Sequence, residues 1–303
     1  MAKLWLSGSV ILENVKDIEK LNIPGIDGIE FGFLSSERDL EIIDRFIKRN
    51  DLNLGFHHPI INSDEEDFML SRCITSYNKH LREQALEQVK MTISIAAKKG
   101  AYYVLVHAPS KLIDKDKIEI SKKRYKMGVN ESLNKLEEMS QEFNIPIIIE
   151  TDGPNYFYNT PESLKEMFEI HNSLQHCIDI MHFAVFTGKY KYSCTVKDLV
   201  KAISDVTFSI HLCNTISPSG TGEDPRAKGS RHLRLPVHPE QKPNNGWVNI
   251  VEVIEEVKSK NEEVKLVMEH IPFRSFDKEV LEKLGYNPEV YQKESINWIK
   301  SLV

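Results

Sequence analysis

Short runs of apolar and β-branched residues recur along the chain. Between most of them lie longer segments in which apolar residues return every three or four positions. The runs predict strands near 4–10, 28–32, 52–57, 102–107, 145–150, 177–180, 207–212 and 264–269. Several are apolar almost without a break, as in Ile145-Pro146-Ile147-Ile148-Ile149, the pattern of parallel strands buried on both faces. Helical spacing runs over about 78–99, where Leu81, Ala85, Val89, Ile93 and Ala96 share a side and Gly100 marks the stop. It returns over 248–260, through Ile250, Val253, Ile254 and Val257, and again over about 288–302. Thr160-Pro161-Glu162-Ser163 opens another helix, with a threonine cap and a proline in the first turn. Ser36 opens a further one.

Strands alternating with helices admit a doubly wound open sheet or a (β/α)8 barrel. The turns after the first two strands, Gly8-Ser9 and Gly32-Phe33, carry neither GxGxxG nor GxxxxGK(S/T). The barrel is therefore predicted: an α/β fold, a single TIM-barrel domain over 1–303, with a long loop at about 214–246 after strand seven. Its site belongs at the C-terminal ends of the strands.

Composition narrows the classes further. With 41% hydrophobic and 28% charged residues the chain is neither disordered nor a disulfide scaffold. A net charge of −6 does not favour nucleic acid as a partner, although a local basic patch is compatible with it. No apolar run approaches the ~18 residues that span a bilayer, and the N-terminal stretch is too short and polar for a signal peptide. The four cysteines form no CxxC pair. These features predict a cytoplasmic protein with reduced thiols and no membrane association.

The informative polar residues sit where the predicted strands stop. Strand three ends in His57-His58-Pro59 and strand four in His107-Ala108-Pro109. Strand five ends in Glu150-Thr151, strand six carries Asp179 and then His182, strand seven ends in His211-Leu212, and strand eight in Glu269-His270. Singly, each has a plain structural explanation. Together they bring buried carboxylates and imidazoles to one barrel mouth, at several kcal/mol per ion unless a cation compensates. Mixed nitrogen and oxygen donors suit zinc, manganese or iron better than calcium. Successive strand residues face opposite ways, so only one of His57 and His58 faces the mouth while the strand lasts. Asp179 and His182 share a site only if the strand has ended before His182.

These residues resemble the xylose-isomerase-like TIM barrel superfamily, which holds sugar isomerases and epimerases as well as an endonuclease IV-like branch. The resemblance covers nearly the whole chain in element order. It implies a metal quartet of Glu150, Asp179, His211 and Glu269. His57, His107 and the Asp179-x-x-His182 spacing are similar to the endonuclease IV-like branch, and Ser230-Arg231-His232 stands where that branch has Asp-Arg-His. By that resemblance a second ion would use His57, His107 and Glu150, and a third His182 and His232. One to three divalent ions per chain are expected, zinc foremost, with manganese, iron or magnesium as alternatives. Ser230, Leu235-Pro236-Val237 and Glu150-Thr151-Asp152 depart from that branch's motifs and set the chain apart from true abasic-site endonucleases.

The loop at 214–246 carries Arg226, Arg231 and Arg234. They are read as a lid that holds an anionic group of a small-molecule substrate against the metals, with His58 as a further substrate contact. Glu150, Glu269 and His182 are the candidate catalytic groups. The leading expectation is a multi-metal hydrolase of a phosphoester or related bond. The alternative is a single-metal sugar or sugar-phosphate isomerase or epimerase, in which Glu150 and Glu269 flank the substrate. A non-catalytic barrel with a degenerate site ranks third.

Overall fold

The computed structural model describes residues 2–12, 14–62, 65–109, 122–151, 158, 160–189, 194–214, 235–269, 282 and 287–303. Its strands are β1 (Lys3–Ser7), β2 (Gly28–Phe31), β3 (Asn53–His57), β4 (Tyr103–His107), β5 (Ile147–Glu150), β6 (Gln175–Asp179), β7 (Thr207–Leu212) and β8 (Lys265–Met268). Each pairs in parallel with the next, and β8 closes on β1. The described helices are α1 (Gly8–Ile11), α2 (Glu37–Arg49), α3 (Glu65–Ser71), α4 (Lys79–Lys98), α5 (Lys122–Phe143), α6 (Pro161–Ile170), α7 (Ile180–Lys189), α8 (Val196–Ile203), α9 (Ile250–Lys258) and α10 (Pro288–Lys300). The architecture is the single (β/α)8 barrel that the alternation predicts. No helix of the described residues is long and apolar enough to cross a membrane.

Local chemistry accounts for the element boundaries. Asn78 accepts hydrogen bonds from the backbone N–H groups of His80 and Leu81 and so opens α4. Thr160 and Ser163 cap each other reciprocally at the start of α6, with Pro161 in its first turn. The apolar run after Ser7 reads as more strand, but the chain turns there into α1. At Gly8 a side chain would meet the Phe31 ring at 2.3 Å, so only glycine fits where the chain leaves the barrel.

Two apolar layers follow from the strand period of two. One lies between sheet and helices and includes Ile29, Phe56, Val104, Ile149 and Ile210. The other fills the barrel interior: Trp5, Tyr103, Leu105, Ile148, Cys177, Phe208 and Val267. Outside β7, whose register against β6 shifts by one residue between Thr207 and Ser209, the same face returns two residues beyond an interior position. Leu105 is followed by His107, Ile148 by Glu150, Cys177 by Asp179 and Val267 by Glu269. The interior therefore changes from apolar to ionisable at the C-terminal end.

Candidate metal centre

Pairing register brings the strand-end residues side by side. His107 lies opposite Glu150, and Asp179 opposite His211. Glu269 follows β8 directly, held by its backbone N–H, which donates to the Leu212 carbonyl at 3.0 Å. β6 ends at Asp179 and α7 starts at once, so His182 sits in a first helical turn. There its backbone N–H donates to Asp179 Oδ1 at 2.9 Å. This is the ending of strand six that Asp179 and His182 need to share a site.

Glu150 is the hub. Its Oε1 stands 2.9 Å from His182 Nδ1 and 3.3 Å from His107 Nε2. Its Oε2 stands 3.3 Å from His211 Nδ1 and 3.8 Å from His57 Nε2. His211 Nδ1 also lies 3.1 Å from Glu269 Oε2. All six of these side chains, and Asp179, are buried. Burial works against the Glu150 charge, but the surrounding histidines, His107 and His211 foremost, outweigh it and hold the carboxyl well below its ordinary range. Burial likewise opposes charge on His211. Cys177, Glu269, Glu30 and Glu150 overcome that and hold the ring's pKa well above its usual value. His107 is pushed down to about 4, mainly by burial and next by the Arg72 charge.

The donor set fits a divalent cation. Neither Glu150 oxygen receives a well-aligned hydrogen bond, although both are fully buried. Four overlapping groups each bring their ligand atoms within 4.8 Å of one another: His57, His107 and Glu150; Glu150, Asp179 and His182; Asp179, His211 and Glu269; and Glu150, Cys177 and His211. Buried carboxylates and imidazoles whose ligand atoms converge at that spacing are the chemistry of a metal site. Cys177 belongs to the layer beneath; burial pushes its thiol up to about 12.

Of the two adjacent histidines, His57 turns toward Glu150. His58 turns instead to α4, where its Nδ1 lies 2.9 Å from Thr92 Oγ1, and burial pushes its pKa down to about 3. Arg226, Arg231, His232 and Arg234 lie outside the described residues. Asn214 and Leu235, the described residues on either side of them, pair across an antiparallel bridge.

One residue in contact with the cluster was not singled out by the sequence reading. Glu30 on β2 is buried and puts Oε1 3.2 Å from His211 Nε2. The available signal was a lone charge inside the apolar strand Gly28-Ile29-Glu30-Phe31.

The family model described as xylose isomerase-like TIM barrel matches residues 18–302. No curated protein matches the sequence. Similar solved structures include a D-tagatose 3-epimerase-like protein, at 19% identity and a TM-score of 0.64 over 97% of this chain and 99% of that one. The 3-keto-D-glucoside 4-epimerase YcjR from E. coli matches at 14% identity and a TM-score of 0.66, over 99% and 100%. The IOLI protein, whose structure carries a zinc atom, matches at 15% identity and a TM-score of 0.68, over 99% and 98%. At these identities the likeness is one of fold.

Proposed function

The chain belongs to the xylose isomerase-like TIM barrel family, and from that premise we propose that it is a divalent-metal-dependent isomerase or epimerase of a small hydroxy-carbonyl compound such as a keto-sugar. One observation carries the reading: Glu150 from β5 and Glu269 from the end of β8 reach the same His211 nitrogen, at 3.3 and 3.1 Å. Two carboxylates thus face one small volume at the barrel mouth. The epimerase names of several solved neighbours support the reading.

Glu150, Asp179, His211 and Glu269 would hold the ion, with zinc the first expectation and manganese, iron or magnesium the alternatives. A bound divalent ion would supply Lewis-acid polarisation of the substrate's carbonyl and neighbouring hydroxyl oxygen. One glutamate takes the proton from the carbon beside the carbonyl, and the other returns a proton on the opposite face. His107 and His182 both reach Glu150 Oε1, and His57 reaches Oε2 beside His211.

The multi-metal hydrolase expected from the extra histidines has no counterpart among the neighbours named above. The grouping of His57, His107 and Glu150 favours only one variant of the present reading, a second ion beside the first. The anionic substrate character drawn from Arg226, Arg231 and Arg234 stays with residues outside the described set.

The test is solvent exchange. Zinc- or manganese-loaded protein is incubated in D2O with ketohexoses such as D-tagatose and D-fructose, and proton NMR follows the carbon beside the carbonyl. Deuterium is expected there, with the epimer accumulating. Glu269→Gln should slow exchange by about 10²–10⁴-fold, the usual contribution of a general acid–base group. Metal-loaded protein that exchanges no proton in a panel of ketoses and aldoses contradicts the proposal.

A further inference from the structure

Beneath the cluster lies a connected set of residues that the proton-transfer scheme does not use. Tyr103, in the interior layer of β4, donates its hydroxyl to Glu30 Oε2 at 2.8 Å. Glu30 in turn faces His211 Nε2, at 3.2 Å through Oε1 and 3.4 Å through Oε2. All three side chains are essentially fully buried. The other ring nitrogen of His211, Nδ1, is the one turned toward Glu150 and Glu269.

The neighbouring strands are shaped around this contact. Glu30 on β2 pairs in register with Gly55 on β3, and Gly55 with Tyr103 on β4. At Gly55 a side chain would meet the Tyr103 ring at 2.5 Å and its hydroxyl at 2.9 Å. A glycine at that position lets the phenol cross beneath β3 and reach a carboxylate two strands away. Trp5 packs against the same ring, with centroids 5.4 Å apart, and fixes it from the other side. A buried carboxylate is costly unless a specific arrangement compensates it. Here the arrangement is a phenol aimed at one face of Glu30 and an imidazole at the other.

We infer that Glu30 is a positioning residue for His211: it accepts the Nε2–H, fixes the ring's tautomer and plane, and so presents the Nδ1 lone pair to the divalent ion. Tyr103, given room by Gly55, holds Glu30 in that pose. The inference rests on the metal reading above and deepens it. An imidazole whose second nitrogen is free to rotate or to keep the wrong proton is a poorer ligand, and loss of such an outer carboxylate typically weakens metal affinity by about 10–100-fold.

The experiment measures zinc affinity by chelator competition on the full-length protein, for the wild type, Glu30→Gln and Tyr103→Phe. Long-range ¹H–¹⁵N NMR of the histidine rings and the melting of the metal-free proteins accompany it. Glu30→Gln should bind zinc about 10–100-fold more weakly. In the zinc-loaded variant the His211 Nε2–H, no longer held by a carboxylate, should exchange with water faster than in zinc-loaded wild type. Tyr103→Phe, which keeps the ring and its packing, should weaken zinc binding in the same direction but less. A purely structural role would instead lower the melting temperature of the metal-free variants with zinc affinity unchanged; that result overturns the positioning role while leaving the metal reading intact. If wild type itself binds no zinc or other divalent ion, the metal reading fails first and the positioning role falls with it.

Discussion

Glu150→Gln is expected to lose tight metal binding and to lower turnover by about 10⁴-fold, the upper end of what one general acid–base group contributes. The substitution keeps the side chain's shape and removes its charge. That charge is what four imidazoles face, at distances from 2.9 to 3.8 Å. No other described residue touches as many members of the cluster, so none can take over as the shared ligand. A neutral amide also offers an NH₂ where ring nitrogens already crowd, and it leaves His211 with one partner fewer in a buried setting. Breaking a buried pair from one side typically costs about 3–5 kcal/mol, so the metal-free variant should melt earlier as well. Metal analysis and circular dichroism on the same sample separate the two effects. A folded variant with wild-type metal content would remove Glu150 from the centre of the account.

Acid should destabilise the metal-free protein already above the pH at which carboxylates titrate. His107, held at about 4, contributes to this, and so do two histidines whose rings pack outside the Glu150 cluster. His58, against Thr92, is pushed by burial from 6.5 to about 3. His176 is pushed by burial from 6.5 to about 3, and its Nε2 lies 2.9 Å from Thr151 Oγ1. It packs between Phe168 and Phe183. For a histidine whose folded pKa lies below its unfolded one, the contribution to stability is fully present above pH ~6.5. It is lost as pH falls from there toward the folded value. At about pH 5 each ring then withdraws about 2 kcal/mol, so the pair removes about 4 kcal/mol from a typical total of about 5–15 kcal/mol. His211 has the opposite sign. Its raised pKa contributes stability that is complete below its unfolded value and is lost as pH rises through the folded one. Urea midpoints at about pH 7.5 and pH 5 check the acid limb. In His58→Gln the loss between those conditions should shrink by about 2 kcal/mol. An unchanged midpoint would mean that the rings are solvated and that this part of the interior is less closed than described.

Much of the architecture is legible in the sequence because parallel barrel strands are buried on both faces. Ile145 to Ile149 needs no partner information to be read as such a strand. The same rule over-extends β1. Gly8-Ser9-Val10 looks like more strand, but the chain turns at Gly8, where the Phe31 ring leaves no room for a side chain. The choice between His57 and His58 could not be made from alternation, because either fits a strand that stops one residue earlier or later. The packing decides it: Gly55 and His57 share the interior face, and His58 finds Thr92 on α4.

Glu30 lies outside the strand-end pattern of strands three to eight, because its carboxylate comes from strand two and enters the site through His211. The extra imidazoles are what favour a hydrolase in the sequence. Residue type cannot distinguish a histidine that binds an ion from one that braces a carboxylate, and the contacts of His57 and His107 with Glu150 allow the second role.

The central claim is that Glu150, Asp179, His211 and Glu269 bind one divalent ion on which the chemistry depends. Elemental analysis of protein purified without chelator or affinity metal tests it most directly, with Glu150→Ala measured alongside. The account predicts one tightly held divalent ion per wild-type chain and none in the folded variant. Wild-type protein with no ion above background, or a variant that keeps its ion, contradicts it.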